Sequence, residues 1–170
     1  DRRHRSRATS AHNTFGPAGV EQAEIWSTFR VGDRPNVSVE QWETNAEGFQ
    51  LKVSHDGFRK MDVASSRSFH FDDSACLLLI TDSYQAKAST RMCGRLHFAP
   101  SVSVVSSEGS SVCLNHCGRS VKIHFQGVDN VTIGESEYYP EFNRCILRPC
   151  IEYTLSNSFG EVLVRIDWGD

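Results

Sequence analysis

The first 75 residues of this 170-residue chain contain no cysteine, and all six cysteines lie between Cys76 and Cys150. The chain also lacks any run of 18 apolar residues, because its longest apolar run, Cys76 to Ile80, has only the length of one strand. We therefore expect no membrane span and no signal-peptide segment. With 39% hydrophobic and 23% charged residues, the chain can still bury the core of one domain.

Motifs of the common enzyme classes are missing too. The sequence has no Gly-x-Ser-x-Gly elbow for a nucleophilic serine and no glycine-rich loop with a lysine for a phosphate. We therefore expect no cofactor and no resident metal. Beyond residue 7 the chain has 14 basic and 20 acidic side chains, and this acidic excess argues against a nucleic-acid partner.

Alternation of apolar and polar residues is the dominant pattern. About ten segments show it, for example Val121–Phe125 and Val162–Trp168, with turn signals between them. Cys76–Thr81 is apolar throughout and predicts a central strand covered on both faces. The pattern predicts an all-β, single-domain antiparallel β-sandwich or barrel, braced by disulfides. At most one or two short helices fit, and Val20–Trp26 and Phe58–Ser65 are the candidates.

The charge distribution divides the chain into two parts. Residues 1–19 are predicted to form a basic, flexible amino-terminal arm, because residues 1–7 carry four arginines and a break follows at Gly16-Pro17. Residues 20–170 are predicted to form the single β-rich domain. We interpret the arm as a solvated tail, as the remnant of a processing site at paired basic residues, or as an anchor to an acidic surface.

The cysteines predict three disulfides and, with them, a secreted extracellular protein. The six are Cys76, Cys93, Cys113, Cys117, Cys145 and Cys150. Their connectivity stays open among 15 arrangements, of which pairing between sequence neighbours is one. A zinc site that combines Cys113, His116 and Cys117 with Cys145 and Cys150 is the rival hypothesis, and a free catalytic cysteine is the third.

Two Asn-x-Ser/Thr triplets, at Asn36 and Asn130, predict glycosylation sites. Both lie in alternating segments whose polar side would face water. Polar residues on ordinary strands are the competing interpretation.

Histidines supply the candidates for acid–base chemistry. His97 and His124 lie in matching basic–aliphatic–His–Phe segments, so facing strands would present a general base and a general acid. His70 and Asp72 lie on one side of a strand, as expected for a pair in which the carboxylate orients the imidazole or both bind a metal. These residues favour a small secreted hydrolase, either a nuclease or a glycan hydrolase, and the competing interpretation is that all three histidines are surface residues.

An aromatic segment between two strands is the candidate binding loop. Tyr138, Tyr139 and Phe142 are mixed with acidic residues there, and exposed aromatic loops favour interfaces. Trp42, together with the two tyrosines, favours a carbohydrate- or lipid-binding module as a third function. The alternative is that one of these rings covers the core.

The chain resembles the small secreted cysteine-containing effectors and toxins of plant-pathogenic fungi. The resemblance rests on the six cysteines, the Arg2-Arg3…Arg7 cluster and the alternating strands. It implies a non-enzymatic, monomeric virulence protein that recognises a host or other extracellular protein through its loops, or inhibits an extracellular enzyme. It implies no particular functional residue.

Overall fold

A computed structural model describes residues 2–27 and 29–169, so Asp1, Thr28 and Asp170 lie outside the described residues. Its helical elements are one α-helix, α1 (Arg2–Arg7), and two 3-10 turns, Thr9–Ala11 and Arg59–Met61. Its strands are β1 (Phe15–Pro17), β2 (Ile25–Trp26), β3 (Arg30–Val31), β4 (Val37–Thr44), β5 (Gly48–His55), β6 (Val63–Asp72), β7 (Leu77–His97), β8 (Ser103–Glu108), β9 (Ser111–His116), β10 (Arg119–Gln126), β11 (Asn130–Glu141) and β12 (Arg144–Asp167). No described helix is both long and apolar enough to cross a membrane.

The strands form one antiparallel sheet of ten strands, and β2 and β3 form a separate pair. The main order is β4-β5-β6-β7-β12-β10-β9-β8, with β1 added along β7 and β11 added along β12. The prediction of a mostly antiparallel β protein with little helix is therefore confirmed.

Two long strands carry the sheet into a second layer. The ring of Phe125, which pairs beside Val164, lies 5.2 Å from the ring of Tyr153. Eleven residues of straight strand would separate Val164 from Tyr153 by roughly 35 Å. The strand β12 therefore turns back on itself, close to the irregular register between Asn157 and Phe159.

The turn divides the sheet into two parts. The large sheet contains β4, β5, β6, the first half of β7, the second half of β12, β10, β9 and β8. The small sheet contains β1, the second half of β7, the first half of β12 and β11, and it covers part of the large sheet. The core between them includes Met92, Phe125, Ile151, Tyr153 and Val164, all at most 1% exposed.

A glycine lets the central tyrosine occupy this core. Gly94 pairs beside Tyr153, and a Cβ atom added to it would lie 2.1 Å from Cζ of the tyrosine ring. A side chain at this position would therefore displace the ring from the core.

A buried ionic network joins the layers. Asp82, which is fully buried, accepts hydrogen bonds from Nε and Nη2 of Arg67 at 2.6 and 2.8 Å, and from the Tyr153 hydroxyl at 2.7 Å. Arg67 Nη1 also donates to the carbonyl of Asn13 at 2.7 Å. Burial, and next the charge of Asp82, raise the pKa of Tyr153, so its hydroxyl stays a donor. The network connects the large sheet, the small sheet and the amino-terminal segment.

The segment predicted as an arm contains regular structure in its described residues. It includes α1, the 3-10 turn and β1, where Phe15 pairs with Gly94 and Pro17 with Met92. Phe15 is buried and stacks 6.2 Å from Tyr153. The apolar side chain of Phe15 thus places the amino-terminal segment against the core.

Of the two segments predicted as short helices, only the second contains a helix, and that helix is a single 3-10 turn. Val20–Trp26 contains only the short β2, and within Phe58–Ser65 one 3-10 turn is followed by β6. The predicted central strand does form, as the start of β7 between β6 and β12. It is not covered on both faces, because Ile80 is the one buried residue of Cys76–Thr81.

The predicted disulfides are absent, since all six cysteines are free thiols in the structure. Extended strands separate the cysteines that are neighbours in sequence. Cys145 and Cys150 lie on β12 roughly 16 Å apart along the strand, and most of β7 separates Cys93 from Cys76, which directly precedes that strand. A disulfide needs Cα atoms within about 7 Å, so these pairs cannot join in this fold.

Candidate functional site

The predicted histidines lie on different surfaces. His97 is the last residue of β7, in the small sheet, and His124 lies on β10, in the large sheet. Their neighbours Leu96 and Ile123 are buried in the core. Because successive side chains of a strand point to opposite faces, His97 and His124 project from the two outer faces of the sandwich. The structure does not bring this pair together.

His70 and His124 share one row across the large sheet. His70 pairs with Leu79, Leu79 with Arg165, and Arg165 with His124. Three strand spacings separate the two imidazoles by roughly 14 Å, and Nδ1 of His124 lies 2.9 Å from the hydroxyl of Ser111. This row is too long for one base and one acid to act on a single bond.

His97 lies in a small polar pocket on the outer face of the small sheet, which we call the His97 pocket. Its volume is about 300 Å³. The residues that matter for its chemistry are Ser10, Arg95, His97, Ser136, Cys150 and Glu152. They come from the amino-terminal segment, β7, β11 and β12, so the pocket forms only where these elements meet.

Hydrogen bonds fix the His97 ring. Nε2 lies 3.1 Å from the carbonyl oxygen of Ser10, which can only accept, so Nε2 carries the proton. Nδ1 then accepts from the Ser136 hydroxyl at 2.8 Å, and the backbone N–H of His97 donates to Oδ1 of Asn13 at 2.7 Å. The ring thereby holds residues 10 to 13 against the sheet.

Burial and nearby cations keep His97 neutral. Burial is the main cause, and the charge of Arg148 is the next, of a pKa lowered to about 4. At neutral pH the imidazole is therefore uncharged with both nitrogens bonded. This geometry suits a positioning group better than a proton acceptor.

Two arginines flank the ring. Arg148 donates from Nε to Oγ of Ser136 at 3.2 Å and from Nη2 to the carbonyl of Ala11 at 3.1 Å. Arg95 forms an ion pair with Glu152 at 2.7 Å, and both side chains line the pocket. The pocket therefore places guanidinium groups beside hydroxyls and a neutral imidazole.

The basic helix α1 lies next to this region. Its Arg5 forms an ion pair of 3.2 Å with Glu137 on β11. Arg148 lies over the ring of Tyr138, 5.3 Å from the ring centroid. The helix α1 thus brings arginines to the margin of the His97 pocket, whose own lining holds Arg95 together with the carboxylates of Glu135 and Glu152.

The predicted binding aromatics lie in the β11–β12 hairpin. Tyr138 faces Arg148, and the Tyr139 hydroxyl donates to the carboxylate of Glu137. Phe142 stands at the hairpin tip with 96% of its surface exposed. None of the three rings covers the core, and a binding role for them stays a prediction.

The predicted glycosylation sites are accessible. Asn36 and Asn130 are both exposed, and the Asn36 side chain donates to Oδ2 of Asp56 at 2.8 Å. Their modification stays a prediction.

The cysteines do not assemble a zinc site. Cys117 occupies a hairpin turn with a left-handed φ of 52°, which brings its Sγ within 3.7 Å of Nε2 of His116. Across residues 2–27 and 29–169, no three or more histidine, cysteine or acidic residues are grouped to hold a metal ion. Burial raises the pKa of the Cys93 thiol to about 11 and that of Cys150 as well, so these two are poor nucleophiles.

Sequence reasoning missed three residues that shape the pocket. Asn13 and Ser136 are small polar residues without a motif, and Arg148 had no partner that could be read from the sequence. They meet His97 only through the β11–β12 register, in which Ser136 pairs with Arg148, and through the docking of the amino-terminal segment. The Asn13 side chain, in the segment just before β1, offered no periodic signal.

Comparison with known proteins gives a family and a fold. The profile of the family described as heparinase II/III-like, C-terminal, matches residues 1–157. A solved structure titled heparinase III, BT4657 gene product, superposes with a TM-score of 0.76 at 14% identity, over 98% of this chain and 25% of that one. Heparan sulfate lyase HepC from Pedobacter heparinus gives a TM-score of 0.71 at 16% identity, over 96% and 25%.

Both solved structures are much longer than this chain and distant from it in sequence. At such identities the two structures show the fold, and this chain spans about a quarter of their length. No curated protein sequence matches the chain.

The comparison corrects the resemblance drawn from the sequence. The interpretation as a fungal effector or toxin, with a host protein as partner and a role in virulence, was wrong, because the family profile and the solved structures are of another kind. An even cysteine count, a basic start and alternating strands are properties that many unrelated β proteins share.

Proposed function

The chain belongs to the heparinase II/III-like C-terminal family, and on this premise we propose that it takes part in the binding and breakdown of an acidic polysaccharide. A solved structure of the same fold carries the name heparan sulfate lyase. This proposal agrees with the glycan-directed alternatives drawn from the sequence, not with recognition of a host protein. Because the chain spans about a quarter of those structures, the lyase activity itself is part of the proposal.

One observation carries the proposal: Arg95 in the lining of the His97 pocket, and Arg148 at its edge, lie beside hydroxyl groups. A guanidinium presents a planar fork of donors that matches a carboxylate or sulfate, and it stays charged at any physiological pH. The hydroxyls of Ser136 and Thr132 add groups that can bond to sugar hydroxyls. The ion pair of Arg5 with Glu137 holds the basic helix α1 at the pocket margin.

In this proposal His97 is a positioning residue. Its neutral ring holds the segment of Ser10 to Asn13 and the Ser136 hydroxyl, which in turn accepts from Arg148. The ring therefore sets the direction of the Arg148 guanidinium without adding a charge of its own.

Binding to heparan sulfate tests the proposal. The wild-type chain should bind heparan sulfate at low salt, and binding should weaken as salt screens the charges. Arg148→Gln should raise the Kd by about 10- to 100-fold, since one hydrogen bond to a charged group contributes about 1.5–3 kcal/mol. The matched control is Arg165→Gln, because Arg165 lies on the outer face of the large sheet and pairs with Asp167 at 2.6 Å.

Equal binding by both variants, or no binding by the wild type, contradicts the proposal. Circular dichroism melting of each variant checks that a loss of binding is not a loss of fold. An extracellular location and a monomeric state remain predictions from the sequence.

A further inference from the structure

We propose that the outer face of the large sheet carries a second carbohydrate site, beside Phe159, that takes an uncharged polyhydroxylated chain. This site lies on the opposite side of the sandwich from the His97 pocket, and it does not depend on the function proposed for that pocket.

A broad groove opens on this face, which we call the outer groove. Its main part has a volume of about 1110 Å³ and runs over β4, β5, β6 and β7. An adjoining part of about 720 Å³ continues to Phe159 on β12, and the two parts share residues 84–87 of β7. The groove is therefore far larger than the His97 pocket of about 300 Å³.

The strand register places hydroxyl groups in a line along the groove. Directly paired positions on β4, β5, β6, β7 and β12 are Ser38, Ser54, Ser66, Ser83 and Glu161. Paired residues of antiparallel strands share one face, so all five side chains point to the same side. Four strand spacings make this line roughly 19 Å long. The line ends at a carboxylate, since Ser83 Oγ donates to Glu161 Oε2 at 3.1 Å.

The next row adds an aromatic ring. Ala64 pairs with Gln85, and Gln85 pairs with Phe159. Each lies two residues along its strand from the row of serines, so these side chains point to the same face. The Phe159 ring is 74% exposed and Gln85 is exposed. A sugar ring stacked on Phe159 would place its hydroxyls beside the Gln85 amide, the Glu161 carboxylate and Ser83. An apolar surface bordered by a few convergent polar groups is what a sugar ring needs.

The backbone fixes Phe159 in place. The register is irregular between Asn157 and Phe159, and the Tyr84 hydroxyl donates to the carbonyl of Asn157 at 3.3 Å. A Cβ atom at Gly160 would lie 3.1 Å from the Tyr84 ring and 3.3 Å from Leu155. Tyr84 and Leu155 thus pack closely beneath the irregular stretch, so little conformational entropy remains to be lost when a ligand binds.

The charges of the groove identify the kind of glycan. Its lining has four carboxylates and two cationic groups, which are Glu40, Asp56, Asp62, Glu161, Arg59 and Lys87. Three of the carboxylates lie in ion pairs, with Lys52, Arg59 and Lys87. The fourth, Glu161, lies next to Phe159 in the row of side chains and repels sulfated and uronate-rich chains there. Carboxylates accept hydrogen bonds from sugar hydroxyls, and amides both accept and donate them. An uncharged chain is therefore the ligand that the groove fits.

Affinity electrophoresis tests this site. The wild-type chain is run through gels that contain hydroxyethyl cellulose, galactomannan or a soluble β-1,3-glucan, and through a gel that contains heparan sulfate. At least one of the uncharged polysaccharides should retard the chain. Phe159→Ala should weaken that retardation about three- to tenfold, as expected for one lost aromatic contact. Gln85→Ala should weaken it less.

The matched control is Phe29→Ala, which removes an equally exposed phenylalanine that does not line the groove and should leave retardation unchanged. Failure of all three uncharged polysaccharides to retard the wild type overturns the proposal, as does equal retardation of Phe159→Ala. If heparan sulfate retards the chain, and Arg148→Gln weakens that retardation while Phe159→Ala does not, the binding belongs to the His97 pocket. The two proposals can therefore fail separately.

Discussion

The two outer faces of the sandwich hold polar groups in different ways. On the small sheet the amino-terminal segment covers the His97 pocket, so its polar side chains are half-buried and bonded to one another. On the large sheet nothing within the described residues lies over the outer groove, whose hydroxyl and amide groups face water. The same type of strand surface thus gives a half-buried pocket of paired charges in one layer and an open groove with hydroxyl and carboxylate groups in the other.

The comparison teaches that the neighbouring segments that enclose a histidine ring decide its role here, more than the strand pattern in which it lies. His97 and His124 lie in segments of the same pattern, but the His97 ring is enclosed and its pKa falls to about 4. The His124 ring lies against the Ser111 hydroxyl and stays partly exposed. Matching sequence segments therefore do not imply matching roles.

Removal of Asp82 from the buried network between the layers should have the largest effect on stability. Asp82→Ala leaves the buried guanidinium of Arg67 without its carboxylate and the Tyr153 hydroxyl without its acceptor. We expect a loss of about 3–5 kcal/mol in the free energy of unfolding, measured by urea denaturation. Both surfaces should be lost together at lower denaturant concentrations.

Asp167→Ala is the control for that change. Asp167 pairs with Arg165 on the exposed face, so we expect its loss to cost about 0–1 kcal/mol. Equal effects of the two substitutions would show that the buried network does not hold the layers together.

Crowding the core under the small sheet should have the next largest effect. Gly94→Ala introduces a Cβ atom into the space of the Tyr153 ring and should cost about 1–3 kcal/mol. Gly134→Ala is its control, because a Cβ atom there has no heavy atom within 4 Å. A stability of Gly94→Ala close to wild type would mean that Tyr153 can move without loss, and thermal melting of both variants decides this.

Acid should affect the enclosed face more than the open one. The unfolded chain has an ordinary histidine pKa near 6.5, whereas the folded pKa of His97 is about 4. The unfolded state therefore binds more protons between these values, so the contribution of His97 to stability is complete above pH 6.5 and is lost as the pH falls towards 4.

His97→Gln should flatten this pH dependence, whereas His124→Gln should not. Urea midpoints at pH 7 and pH 4.5 measure the difference, which we expect to be the smallest of the three stability effects, since the ring is only half-buried. A slope that is equally steep in wild type and His97→Gln would contradict the assignment.

Much of the fold could be predicted from local alternation. Val121, Ile123 and Phe125 lie on β10, and Val162 to Ile166 on β12, with the alternating burial that the sequence indicates. The length of β7 and β12 could not be predicted, because the polar stretch after Thr81 resembles a loop, although it pairs with β6 and with the equally polar stretch of β12. Partners from distant sequence decide whether such a stretch is a strand.

The candidate site was less predictable than the fold. His97 was identified as a candidate, but its bonds to Ser10, Asn13 and Ser136 come from three elements that meet only after folding. The disulfide prediction failed for a related reason, since it counted cysteines without knowing that strands such as β12 keep them apart. The glycan site proposed for the outer groove consists of cross-strand rows, which no single segment displays.

The pairing of β7 with β12 also has a kinetic consequence. Residues 77–97 pair with residues 150–167, so the contacts that connect both layers close loops of about a third to a half of the chain. Contacts between such distant segments slow folding, because the chain loses entropy before they form. The hairpins β4–β5 and β9–β10 can form early from local contacts, but assembly of the sandwich must wait for this long-range pairing.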